Sequence, residues 1–245
     1  MLKLILSIIL CFQSLLFACD GCGNHEHKTV GTLIGNVKYQ GNIPKPKPLK
    51  MDADPVCGAA HEKRALSESF IVDDDFNLKN VLVWLKDVKY DGAPSTETAI
   101  LDQKDCVYRP HVLGVQKGQK VLIKNSDATL HNIHSMAEVN DQFNFAMPKV
   151  VKEKETVFNS VEDPFYIKCD VHPWMKSWIL VQDHPFFAIT DSQGNFEIGN
   201  IPAGTYEVIA WQEKFKMKRS IIKTVEIKES SKTVQDFVFI KPEKK

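Results

Sequence analysis

The sequence predicts an all-β protein built from sandwiches. Three observations carry this. β-Branched and aromatic residues recur in short runs, Gly, Pro, Asn and Asp separate those runs, and no long segment places apolar residues at helical spacing. In chain order the expected strands are 32–39, 81–88, 112–115, 121–124, a short strand opening at His131, 156–159, 165–168, 178–182, 187–190, 195–198, 205–211, 224–227 and 233–240. Between the first two, Asn42-Ile43-Pro44-Lys45-Pro46-Lys47-Pro48 is excluded from any central strand, because proline lacks the ladder donor; it reads as an extended surface segment. Lys117-Gly118 is a turn before 121–124, and Asn125-Ser126-Asp127 a loop after it. Towards the C-terminus, 190–198 reads as strand, tight turn and strand, and 201–206 as a turn entering the next strand.

At 245 residues the chain has room for one large or two small domains, each able to bury a core. Lys+Arg and Asp+Glu both number 31, so no overall charge draws it to nucleic acid or to an anionic membrane. Lys45, Lys47, Lys50, Lys241, Lys244 and Lys245 read as solvated surface. Lys3 followed by the apolar stretch 4–17 is a targeting segment, too short to span a bilayer. Leu16-Phe17-Ala18-Cys19 resembles a bacterial lipoprotein box. The expectation is a signal peptide over 1–18, lipidation of Cys19 and a tether over 19–30, placing the protein in the periplasm on a membrane anchor; ordinary secretion is the alternative.

The chemistry concentrates in Cys169-Asp170-Val171-His172-Pro173-Trp174-Met175. A thiolate, an imidazole and a thioether at spacings of three and three can be aimed by one tight loop at a single point. Joined by a second imidazole, they compose the trigonal site with a weak axial Met that holds copper for electron transfer. His131 supplies that imidazole. In an extended strand His131 and Ile133 share the core face while Asn132 and His134 face away. A four-ligand zinc set of Cys169, His172, His131 and His134 is disfavoured by the same alternation, and it leaves Met175 without a role.

With these residues in place the chain resembles the cupredoxins, the blue type 1 copper proteins of the plastocyanin and amicyanin kind. The resemblance covers roughly residues 97 to 183. It rests on Tyr108-Arg109-Pro110, Gly118, Asn125, His131-Asn132, Phe165-Tyr166 and the short Cys-x-x-His-x-x-Met loop with its Pro and aromatic residue. It implies a Greek-key β-sandwich holding one copper through His131, Cys169, His172 and Met175. It also implies that Asn132 locks the ligand loop to the His131 strand, with its N–H near the Cys169 sulfur, and that Pro173 restricts the loop. Trp174 and Met147 are candidates for an apolar docking collar around a His172 edge at the surface; simple packing is the other reading of both.

A second resemblance lies in 190–206, which looks like the latter half of a carboxypeptidase regulatory-like domain, a small transthyretin-like sandwich. Residues 31–96 then supply its first part and 184–245 its second, with the cupredoxin region 97–183 inserted between them. The junctions are Asp91–Ser95 and Asp183–Pro185. The alternative is one enlarged cupredoxin with a tail domain.

Cysteine arithmetic closes the reading. Cys11 leaves with the signal, Cys19 takes the lipid and Cys169 the metal. Cys57 and Cys106 remain as a disulfide pair suited to an oxidising compartment, and Cys22 is left over. A small metal-binding tail of Cys19, Cys22, His25 and His27 is a rival for the N-terminal cysteines. No hydrolytic or phosphate-binding motif is present, so a carrier is expected and not an enzyme. The expected function is one-electron transfer between a redox donor and acceptor. A copper-handling or protein- or glycan-binding module is the alternative.

Overall fold

The computed structural model describes residues 29–241. Cys11, Cys19, Cys22, His25 and His27, with the expected signal peptide and its lipidation site, lie outside the described residues. The strands are β1 (Val30–Gln40), β2 (Leu82–Leu85), β3 (Ala99–Lys104), β4 (Val107–Arg109), β5 (Val112–Gln116), β6 (Lys120–Asn125), β7 (His131–Ser135), β8 (Asn144–Met147), β9 (Glu153–Val157), β10 (Glu162–Lys168), β11 (Lys176–Gln182), β12 (Phe187–Ile189), β13 (Asn195–Pro202), β14 (Gly204–Trp211), β15 (Ile221–Ile227), β16 (Lys232–Val234) and β17 (Phe237–Ile240). A short helix, α1 (Pro55–Ala59), lies in the long connection from β1 to β2.

The chain is all-β and its sheets fall into two sandwiches. Strands β3 to β11 form sheets in the orders β5-β11-β10-β7-β8 and β4-β3-β6-β9. The remaining strands form β13-β1-β16, with β17 also on β1, and β12-β2-β14-β15. Residues 91–95 and 183–185 fall in the two connections between these groups. Leu101, Val121, Ile123, Ile133, Phe165, Ile167, Ile179 and Val181 fill the inner sandwich. Leu33, Val37, Val83, Leu85, Phe196, Val208, Val225 and Phe237 fill the outer one.

Period-two alternation explains both cores and the contact between them. On β2, Val83 and Leu85 face the outer core while Leu82 and Trp84 join a third cluster. On β14, Val208 and Ala210 face the outer core while Ile209 and Trp211 join that third cluster. Val112 and Leu180 come to it from the inner sandwich, with Trp178 packed against it. Strands buried on both faces read as continuous apolar runs, which is why Leu82–Leu85 is buried at every position.

Several boundaries differ from the sequence reading. Strands β3, β4 and β8 were not anticipated, because their runs mix charged or amide residues with few β-branched ones. The run 81–88 stops at Leu85, ahead of Asp87 at a left-handed φ of 52°. The run 156–159 is displaced to Glu153–Val157, on the edge of its sheet. The run 233–240 is two strands, split where the Asp236 carboxylate accepts the Asn36 N–H at 2.8 Å, replacing a backbone ladder bond.

Candidate metal centre

The centre forms where β7 begins and where β10 turns into β11. The Lys168–Lys176 pair closes the β10–β11 hairpin around residues 169–175. Inside that loop the Met175 N–H donates to the His172 carbonyl at 3.0 Å, and the Cys169 N–H to the Met175 carbonyl at 3.3 Å. The His172 N–H donates to Cys169 Sγ at 3.3 Å. On β7 the burial alternates, so His131, Ile133 and Ser135 are buried while Asn132 and His134 are not. Asn125, at the end of β6, donates to the Thr129 and Met147 carbonyls, setting the loop that delivers His131.

Ligand atoms of His131, Cys169 and His172 lie within 4.8 Å of one another, and all three residues are buried. The Nδ1 atoms of the two histidines face each other at 3.0 Å, and Cys169 Sγ is 3.8 Å from His172 Nδ1. The outer nitrogens are both taken by carboxylates. His131 Nε2 donates to Asp127 Oδ2 at 2.8 Å, and His172 Nε2 to Asp54 Oδ2 at 3.1 Å. An ionised carboxylate only accepts, so each Nε2 carries its proton and each Nδ1 turns a lone pair inward. Two such lone pairs at 3.0 Å repel unless a cation or proton lies between them. With bonds of roughly 2.0–2.1 Å to nitrogen and about 2.3 Å to sulfur, a first-row metal ion reaches all three donors. The residues therefore fit a metal held by two imidazoles and a thiolate.

Electrostatics agree with this. Burial opposes ionisation of Cys169, but its hydrogen bonding with His131 and with the N–H groups of His172, Asn132 and Val171 outweighs this and holds the thiol below its ordinary value. Burial also opposes charge on His131, yet Asp127 and Cys169 carry its pKa above the ordinary value. For His172, burial together with the nearby His131 lowers the pKa despite Asp54.

The other expected residues fall as follows. Met175 is buried in the same cluster as Cys169. The Asn132 carboxamide accepts the Asp170 N–H at 3.1 Å, tying β7 to the ligand loop. His134 points out of the site and bonds Asp170 at 2.8 Å. Pro173 is exposed. Cys57 and Cys106 are joined by a disulfide, with Cα atoms 5.4 Å apart. Cys169 is the free thiol among the described residues. Two further groupings, Asp54–Cys57–His172 and Cys106–Asp127–His131, rely on these half-cystines and offer no thiolate.

The expected docking collar needs correction. Met147 is fully buried opposite His131, its sulfur accepting from Gln103 Nε2 at 3.2 Å, so it is no part of a surface. His172 is 3% exposed, with Asp54 and the Cys57 sulfur, from the connection between β1 and β2, lying against its Nε2. Trp174 is half-buried; its ring lies against His172 at 4.9 Å and its Nε1 donates to the Cys106 carbonyl. Asp54, Asp127 and Thr129 escaped the sequence reading. The one available signal was Asp127 four residues before His131.

Comparison with known proteins gives partial matches. The family model for polysaccharide lyase family 4, domain II, matches residues 162–235. That is a different family from the carboxypeptidase regulatory-like domain expected for the outer sandwich. No curated protein matches the chain. Among solved structures, a mutant of amicyanin in its Cu(I) form is 23% identical, covering 35% of this chain and 82% of that one at a TM-score of 0.31. A purple cupredoxin from Nitrosopumilus maritimus is 24% identical, covering 34% and 99% at a TM-score of 0.29. A copper-containing nitrite reductase from Thermus scotoductus is 20% identical, covering 40% and 25% at 0.31.

Proposed function

We propose that this chain is a type 1 copper protein that carries single electrons between redox proteins, exported and tethered through Cys19. The observation that carries the reading is the inward convergence of two histidine Nδ1 atoms and the Cys169 thiol, with both Nε2 atoms anchored on carboxylates. Bound copper supplies the one-electron Cu(I)/Cu(II) couple, and a donor set of two imidazoles, one thiolate and a weak thioether suits both states. The protein's part is to hold the donors still and exclude water. His131, Cys169, His172 and Met175 are each at most 3% exposed. Trp174, in ring contact with His172 and reaching a surface cleft beside Pro173, is the candidate contact for a partner.

The test is spectroscopic. Copper-loaded protein should show an intense visible thiolate-to-Cu(II) band that bleaches on reduction and returns on oxidation. Cys169→Ser should remove it, since a serine hydroxyl does not replace the thiolate. A variant that keeps the band rules out Cys169 as ligand.

One observation favours the second reading, a binding module. A cavity of about 300 Å³ in the outer sandwich is lined by Tyr39, Phe70 and Phe215 together with the basic residues Lys45, Lys47, Lys214, Arg219 and Lys241. Aromatic and basic side chains lining one cavity suit an acidic glycan, and the polysaccharide lyase model overlaps part of this sandwich. Binding of polyuronate, lost on Phe70→Ala, would establish it; absence of binding leaves the sandwich as scaffold.

A further inference from the structure

The inference rests on the copper reading above and concerns what completes the centre. Its two histidines are held alike, but from different places. Asp127 follows β6 inside the sandwich that carries the ligands. Asp54 belongs to the connection between β1 and β2, two strands of the other sandwich. We propose that Asp54 is a positioning residue for His172, and that the Cys57–Cys106 disulfide is the clasp that keeps it there. The centre is thus completed, and its His172 edge closed to partners, by a segment from outside its own sandwich.

Both Asp54 oxygens are committed. Oδ1 accepts the N–H groups of Val56 and Cys57 at 2.8 and 3.2 Å, capping α1. Oδ2 accepts from Thr129 Oγ1 at 2.9 Å and from His172 Nε2 at 3.1 Å. A carboxylate fixed this way sets both the tautomer and the orientation of the ring, leaving Nδ1 for the ligand cluster. Without it His172 is free to carry its proton on either nitrogen.

The disulfide links the two supporting carboxylates. Cys57 donates its N–H to Asp54, and Cys106 donates its N–H to Asp127 at 2.9 Å. Each half-cystine therefore props the aspartate of one ligand histidine. Around the bridge Met51 is buried, with Leu49, Ala65, Val107 and Trp174 packed against it. Cys57 Sγ lies 3.8 Å from His172 Nε2, so the bridge itself forms part of the lid. The cover has a five-residue helix and little core of its own, so it depends on this crosslink.

Asp54→Ser separates positioning from capping. Serine caps a helix nearly as well, but its single short hydroxyl cannot hold both α1 and His172. In metal-free full-length protein labelled with 15N-histidine, wild type should show His172 as one Nε2–H tautomer with a slowly exchanging ring proton. Asp54→Ser, and separately the Cys57→Ser/Cys106→Ser double variant, should exchange that proton at least about tenfold faster and mix tautomers. Copper-loaded forms should lose metal to a Cu(I) chelator about 10- to 100-fold faster than wild type. Asp127→Ala should disturb His131 and leave the His172 proton protected. Wild-type behaviour of Asp54→Ser in both measurements overturns the proposal and leaves Asp54 a helix cap. A protected His172 in a folded double cysteine variant removes the clasp. Should wild type bind no copper while the ring-proton results hold, the copper reading fails and the positioning role stands.

Discussion

Cys169 and Glu162 are governed by the same competition, burial against hydrogen bonds to the charged form. In both, the hydrogen bonds win. The Glu162 carboxylate accepts the N–H groups of Glu138, Val139 and Asn140 and the Asn140 side-chain amide, organising the loop after β7. Burial opposes its charge, but these donors hold its pKa below the ordinary value. The stability it contributes is therefore fully present above the unfolded-state value of about 4.3 and is lost as pH falls through the lower folded-state value. Glu162→Gln should cost about 1–3 kcal/mol at neutral pH, since one acceptor becomes a donor facing donors. Urea titrations should find wild type and variant converging below about pH 4. A constant gap between them would contradict the assignment. At this same scale, the separation of His131 from His134 was legible, because strand alternation needs only the local sequence. The roles of Asp54 and Asp127 were not, because a carboxylate on a loop looks alike whether it meets water or an imidazole.

At the scale of elements, β5 shows how close the two sandwiches come. A Cβ placed on Gly114 would lie 2.5 Å from a ring carbon of Phe187, next to β2 in the outer sandwich. Glycine is required there by approach, not by backbone conformation. Gly114→Val should destabilise by about 1–3 kcal/mol through overpacking. Phe187→Leu in the same chain should recover part of that loss, a coupling that thermal unfolding of the double-mutant cycle measures. Additive effects would mean the two residues do not meet. The strands the sequence reading missed, β3, β4 and β8, are held in place by partners. The edge strand β4, for example, gains its order from pairing with β3 and from the phenol of Tyr108 donating to the Asn132 carbonyl at 2.6 Å.

At the scale of the molecule, the two cores are coupled through Leu82, Trp84, Ile209 and Trp211 meeting Val112, Leu180 and Trp178. Trp178 and Trp211 pack edge to face at 4.9 Å, and Glu213 accepts from the Trp178 indole while facing His111. Burial opposes charge on Glu213, but His111 and Trp178 hold its pKa below the ordinary value. Wild type should unfold in one calorimetric transition. Trp211→Ala, removing a buried indole worth about 3–5 kcal/mol, should divide it into two. A single transition in the variant would place the coupling elsewhere, in the disulfide above all.

The sequence by itself determined the β class, most of the strands and the convergence of His131, Cys169 and His172. Those features depend on period-two alternation and on a seven-residue loop, both readable over a few neighbours. Only the tertiary structure decided that Met147 is core, that His172 is covered, and that Asp54 reaches it. These depend on where a connection of some forty residues settles. That placement follows from packing around a bridge between half-cystines 49 residues apart, and no local pattern encodes it.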